Sequence, residues 1–232
     1  MKAFIFAAGK GERMLPLTLT TPKPLLKVAG KNLIQWHLEK FATLGIKEIF
    51  INTSHLADRF EPELGNGERW GLKIHFLYEG PEPLETGGGL VNARQLLGEQ
   101  AFILVNGDVW SDYDFKNLPR QIKQLAHLVM VDPPAEKKVG DFYLDANGKL
   151  HTSGSPLLTY SGIGMYRAEI LDGWQQHVPV KHAENGKPIF KLAPILNAAI
   201  QRGLVTGSYH SGAWTDVGSP ERLALLNQSL SF

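Results

Sequence analysis

Apolar and polar positions along the chain follow two rhythms. Phe4, Ile5, Phe6, Ala7 and Ala8 form an unbroken apolar run, the pattern of a strand buried on both faces. The run from Ala101 to Asn106 repeats it, and Lys47–Thr53, Lys73–Tyr78, Leu128–Val131, Pro156–Tyr166 and Leu204–Tyr209 read as further strands. Between them a period near 3.6 takes over. Leu33, Ile34, His37, Leu38, Phe41 and Leu44 share a helical stripe that Gly45 closes. Other helices are predicted through Leu96 and Leu97, from Lys191 to Gln201 with Pro194 in the first turn, and briefly over Arg59–Leu64. Ser219, Pro220 and Glu221 open the last helix with a cap and a proline at its first position. Residues 142–150, turning at Asn147 and Gly148, read as a small hairpin. Strand–helix–strand alternation predicts βαβ units and an α/β domain.

The residues just past the strands carry the candidate chemistry. Gly9, Lys10 and Gly11 follow the first strand, where missing Cβ atoms let backbone N–H groups approach a ligand. Arg13 comes next, and Lys23 returns between Pro22 and Pro24, which stiffen its backbone. Close approach plus fixed positive charge suits the phosphates of a nucleotide. Asn106, Gly107 and Asp108 end the second buried strand. Ligands of open α/β sheets bind beyond the carboxyl ends of strands, so Asp108 is expected to face the Gly9 crevice. Each feature has a plain structural alternative: a tight turn, a solvated charge or a turn carboxylate. Leu84 to Gly89 sets three glycines at a helix start, with Thr86 as cap and open N–H groups for a base or ribose, or else a tight turn. Glu79, Glu82 and Glu85 read as solvated loop carboxylates or acceptors for a base, Asp112 and Asp114 as solvated turn residues, and His37 and His55 as packing or surface histidines.

Composition narrows the field. A chain of 232 residues with 43% hydrophobic composition suits one large domain, residues 1–232. A net charge of +1 favours neither nucleic acid nor a membrane surface, and no apolar span reaches the roughly 20 residues of a membrane helix. The absence of cysteine excludes disulfides, thiolate metal sites and a Cys nucleophile, and fits a cytoplasmic protein. The dinucleotide fingerprint needs a glycine where Met14 stands, which argues against a nicotinamide-binding domain.

Taken in order, the loop Ala7 to Gly11, the segments Arg13 to Thr18 and Pro22 to Pro24, the strand ending in Asp108, and Trp214 to Pro220 resemble the signature of the nucleoside-diphosphate-sugar pyrophosphorylases, or sugar-phosphate nucleotidyltransferases. The resemblance implies a Rossmann-like three-layer α/β/α sandwich, with a mixed, mostly parallel sheet and a sugar-binding lid over residues 133–190. It implies a nucleoside triphosphate and a sugar 1-phosphate as substrates, with Mg2+ held by Asp108 and Asp216. Arg13 and Lys23 complete the implied catalytic set, Arg13 at the β/γ-phosphates and Lys23 at the α-phosphate. Ala8, Gly9, Gly11, Glu12, Arg13, Lys23, Gly87 and Gly88 would bind the nucleotide. Glu12 stands where many relatives have Thr, so its side chain is expected to turn away. Gly140, Asp141, Phe142 and the strand from Thr159 to Gly164 look most like the uridylyltransferases of peptidoglycan recycling that act on N-acetylmuramate 1-phosphate. UTP is then the favoured nucleotide, with Asn106, Gly140, Asp141 and Ser161 as sugar contacts. Ser153 to Pro156 replaces the Glu-Lys-Pro of glucose-1-phosphate thymidylyl- and uridylyltransferases. Mannose-1-phosphate guanylyltransferases, or a silent relative that binds a nucleotide sugar to regulate a partner, are the alternatives. A monomer or small homo-oligomer is expected.

Overall fold

The computed structural model of the chain describes residues 1–137 and 139–230; Lys138, in the expected lid segment, lies outside them. In chain order the elements begin with β1 (Lys2–Phe6), a ribbon β2 (Lys27–Val28) and β3 (Lys31–Asn32), α1 (Leu33–Thr43), β4 (Glu48–Thr53), α2 (Phe60–Leu64), β5 (Lys73–Tyr78) and α3 (Glu85–Leu97). Next come β6 (Phe102–Asn106), β7 (Val109–Ser111), β8 (Ala126–Val131), the hairpin β9 (Tyr143–Leu144) and β10 (Leu150–His151), and β11 (Thr159–Tyr166). The ribbon β12 (Lys181–His182) and β13 (Pro188–Ile189), α4 (Ala193–Gln201), β14 (Val205–Tyr209), β15 (Trp214–Asp216) and α5 (Pro220–Leu230) complete the chain.

Seven strands form the central sheet in the order β14-β8-β11-β6-β1-β4-β5. Only β11 among them runs against its neighbours, antiparallel to both β6 and β8; the other ladders are parallel. The sheet is therefore mixed and mostly parallel, as expected. Alternation along each strand sorts side chains into two cores. Phe4, Phe50, Leu104 and Leu128 pack under Leu90, Ala93 and Leu97 of α3 and Ile195 and Leu196 of α4. Ala3, Ile5, Ile49, Ile51, Ile103 and Val105 face Ile34, Leu38 and Phe41 of α1 and Phe60 and Leu64 of α2. These cores are the two interfaces of a three-layer sandwich. At about 25 cal/mol per Å2 of buried apolar surface, they supply the main driving force for folding. Met14, Val28, Leu33, Trp110, Val217 and Leu226 form a third cluster that seats α5 beside the first loop.

Three expectations are displaced. The first strand ends at Phe6, because the Ala7 N–H donates to Asn52 Oδ1 at 2.7 Å instead of continuing a ladder. Thr86 does not cap α3, which starts one residue earlier; its Oγ1 accepts the Leu192 N–H at 2.9 Å. Residues 133–190 are not one lid: β11 lies inside the central sheet, the β9–β10 hairpin reaches β14 through the Gly207 N–H and Gly148 carbonyl (2.9 Å), and the β12–β13 ribbon packs on α3.

Candidate active site

Strand β1 has β4 on one side and β6 on the other, so the chain reverses its direction of advance there. The crevice beyond the carboxyl ends of β1 and β6 is the topological switch point. The Asn52 bond to Ala7 fixes how the chain leaves β1. Gly11 then takes a left-handed conformation (φ 66°), its carbonyl accepts the Met14 N–H at 2.8 Å and the Thr18 hydroxyl at 2.8 Å, and Glu12–Met14 forms one tight turn. Met14 is fully buried as the anchor. Ala8 is buried at the strand exit, whereas Gly9, Glu12 and Arg13 stay exposed, and a Cβ at Gly9 would meet nothing within 4 Å.

Gly107 explains how Asp108 reaches this loop. Its N–H donates to the Phe6 carbonyl at 2.9 Å, and a Cβ there would press on that carbonyl and on the Pro24 ring. The strand end thus lies directly against the Pro22-Lys23-Pro24 turn, and Lys23 Nζ donates to Asp108 Oδ2 at 2.5 Å. The second carboxylate arrives through β15, which pairs antiparallel with β7 so that Asp216 lies opposite Val109. The Val217 N–H donates to the Asp108 carbonyl at 2.7 Å, joining the two segments 109 positions apart in sequence. Helix α1 braces this ribbon from beneath: His37 Nε2 donates to the Val109 carbonyl at 2.8 Å, and Lys40 Nζ donates to the Ser111 and Tyr113 carbonyls. Burial, then the charge of Lys40, lowers the His37 pKa to about 3, so its ring is neutral and keeps the Nε2 proton for that bond.

Arg13, Asn106, Asp108, Asp141, Ser161 and Asp216 line one cleft of about 480 Å3. Asp216 forms an ion pair with Arg222. A bulge in β11 gives the far wall: the register shifts between Tyr160 and Gly164, and Gly162 is left-handed (φ 79°) where a Cβ would strike Asn106. Ser161 is buried, its Oγ accepting the Ile163 N–H at 3.2 Å and its carbonyl accepting Trp214 Nε1 at 2.8 Å. Asp141 accepts from Lys137 Nζ (2.5 Å) and from the Tyr160 N–H (2.9 Å), and a Cβ on Gly140 would overlap the Leu157 carbonyl.

Gly87 and Gly88 are placed differently. Their N–H groups, expected to be open, both donate to the Phe190 carbonyl at 2.8 and 3.1 Å. Cβ atoms would run into the Phe190 ring at Gly87 and the Pro188 carbonyl at Gly88. The bare backbone admits β13 of the same chain. Glu79 corrects a second expectation: it is 1% exposed, accepting from Asn52 Nδ2 (2.7 Å) and the Leu84 N–H (2.8 Å), and burial raises its pKa. Asp112 pairs with His210, and Asp114 caps a short turn by accepting the Lys116 N–H.

The sequence reading missed Arg222 and Glu136, both on the cleft wall. The signal for Arg222 was local. It is the third residue of α5, where the helix dipole mildly favours an acid, so a cation there stands out without naming a partner. Nothing in the local pattern marks Glu136.

Of the four carboxylates on the cleft, Asp108 and Asp216 belong to segments joined by the Val217 N–H, and among the described residues no group of three or more His, Cys, Asp or Glu could hold a metal ion. That donor set fits Mg2+, which takes one or two carboxylates and fills its octahedron with substrate phosphates and waters. No helix of the described residues is long and apolar enough to cross a membrane.

The nucleotidyl transferase family model matches residues 2–143. The chain is 44% identical to an N-acetylmuramate alpha-1-phosphate uridylyltransferase of Neisseria meningitidis, over 96% of this chain and 95% of that one. It is 30% identical to an enzyme of the same name from Caulobacter vibrioides, over 94% and 92%. Among solved structures, HddC from Yersinia pseudotuberculosis complexed with GMP-PN superposes with a TM-score of 0.76 at 20% identity, covering 99% of both chains, and shares the fold. With a family model over residues 2–143 and likeness to a relative over nearly its whole length, the chain belongs to the nucleotidyl transferase family, among the sugar-phosphate enzymes.

Proposed function

We propose that the chain condenses UTP with N-acetylmuramate 1-phosphate, releasing pyrophosphate and giving the UDP-sugar, in cytoplasmic peptidoglycan recycling. The observation that carries the reaction class is the convergence of Arg13, Asp108 and Asp216 on one cleft, with Lys23 paired to Asp108. The choice of substrates rests on the 44% identical relative.

The attacking phosphate oxygen is already anionic at neutral pH, so the chemistry asks for no general base. The difficulty is the mutual repulsion of two polyanions, which positioning and charge neutralisation relieve. Exposed N–H groups around Gly9 would hold the triphosphate, with Arg13 at the departing β/γ-phosphates. Lys23, its backbone confined by two prolines, would meet the charge building on the α-phosphate as the sugar phosphate attacks in line. Asp108 and Asp216 would hold Mg2+, which supplies further neutralisation of the phosphate oxygens. Asn106, Gly140, Asp141 and Ser161 border or adjoin the side of the cleft where the sugar would lie.

The test is pyrophosphate release from UTP, dTTP, GTP and CTP, each crossed with N-acetylmuramate, mannose and glucose 1-phosphates, with and without Mg2+. Release confined to UTP with N-acetylmuramate 1-phosphate and Mg2+ is expected. Preference for GTP with mannose 1-phosphate overturns the substrate assignment, and nucleotide-sugar binding without release overturns the activity.

A further inference from the structure

We infer that Arg222 is a positioning residue that latches the loop before Asp141 to Asp216, and that its charge weakens cation binding at Asp216. The reading rests on the proposed function, because it takes Asp216 as a cation ligand.

The geometry is a three-way tie. One guanidinium nitrogen of Arg222 pairs with Asp216 Oδ1, and the other donates to Glu136 Oε2 at 2.9 Å. Arg222 is set in place by the start of α5, where its N–H approaches Ser219 Oγ (3.4 Å) and Pro220 fixes the preceding turn. A planar, forked donor can span two carboxylates in a way a lysine cannot. Three segments meet at this one side chain: the end of β15, the first turn of α5 and the loop following β8. Glu136 is exposed, and among the described residues its side-chain bond to another segment is the one to Arg222.

Two consequences follow from the charges. Arg222 takes Oδ1 of Asp216 and sets a positive charge beside that carboxylate, so the guanidinium opposes a divalent cation there even where the cation uses the other oxygen. When Asp216 turns to the cation, Arg222 loses one of its two acceptors, and the loop bearing Glu136 and Lys137 loosens beside Asp141, Tyr160 and Ser161. Cation binding and sugar-phosphate binding are thereby coupled through a side chain that need not touch either reacting phosphate. Lys23 holds Asp108 in a similar pair, but Asp108 is its one side-chain partner among the described residues, so it ties no second segment to the site.

The experiment uses Mn2+ as a paramagnetic substitute, its binding read by electron spin resonance on the full chain without substrates. In parallel, KM for the sugar phosphate and kcat are measured for wild type, Arg222→Gln, Arg222→Lys and Glu136→Gln. Arg222→Gln is expected to bind Mn2+ about fivefold more tightly, while KM for the sugar phosphate rises and kcat changes less. Arg222→Lys should restore the Mn2+ affinity but not the KM, and Glu136→Gln should raise KM alone. Unchanged or weaker Mn2+ binding in a folded Arg222→Gln overturns the latch, as does a loss confined to kcat, which would place Arg222 on the reacting phosphates. If wild type binds no Mn2+ even with UTP present, the cation reading of Asp108 and Asp216 fails instead.

Discussion

Two glycine-rich segments lie on the same side of this sheet, and they do opposite things. Around Gly9 the backbone opens onto solvent: a Cβ there meets nothing, and Glu12 and Arg13 are exposed beside it. At Gly87 and Gly88 the backbone is closed by β13, with both N–H groups donating to the Phe190 carbonyl. Glycine buys close approach in both places, and what approaches differs. In the first the space is open, and the proposed function gives it to the nucleotide; in the second another stretch of the chain fills it. Substitutions should therefore separate the two, costing activity around the first segment and stability at the second.

The largest effect is expected where the open loop meets its charged neighbours. Asp108→Asn, Lys23→Ala and Arg13→Ala should each lower turnover at least about a hundredfold, corresponding to about 3 kcal/mol of transition-state stabilisation, with the thermal midpoint little changed. Near-normal pyrophosphate release from Asp108→Asn would remove it from the cation site. At the closed segment, Gly88→Ala adds a methyl that lands on the Pro188 carbonyl. The helix propensity of alanine gains about 1 kcal/mol and the overlap loses more, for a net loss of about 2 kcal/mol in urea unfolding. A Gly88→Ala variant as stable as wild type, with weakened UTP binding, would show that this backbone serves the nucleotide after all.

The support beneath the site has its own signature in acid. Because the folded His37 pKa is lowered to about 3, the unfolded chain takes up that proton first as pH falls below about 6.5. Stability is fully present above that pH and is lost progressively toward pH 3, by about 2 kcal/mol at pH 5. Urea unfolding at pH 7 and pH 5 should show this slope, and His37→Gln should flatten it. The smallest effect on stability belongs to Gly9→Ala. Its unfolding free energy should stay within about 0.5 kcal/mol of wild type, while KM for the nucleotide rises severalfold. A large stability loss there would mean that the space above Gly9 belongs to the fold.

Much of this was legible in the chain. Periodicity marked the central strands and the long helices because burial on one face or two leaves its mark on adjacent residues. Strand boundaries slipped where a side chain replaced the ladder, as Asn52 does at Ala7. Arg13, Lys23, Asp108 and Asp216 were named as site residues from their segments, and the fold brings them to one crevice. Glu79 was misread because its burial depends on Asn52 and Leu84, 27 residues before it and 5 after.

The sequence by itself determined which residues could bind phosphate and which could fill a core, since charge, size and backbone freedom belong to each residue and its neighbours. Tertiary structure alone decided which glycines stay bare, how Gly107 brings Asp108 onto Lys23, and that Arg222 joins Asp216 to Glu136. Those facts depend on contacts between segments up to about a hundred positions apart. Such contacts follow from strand order and packing, and no local pattern records them.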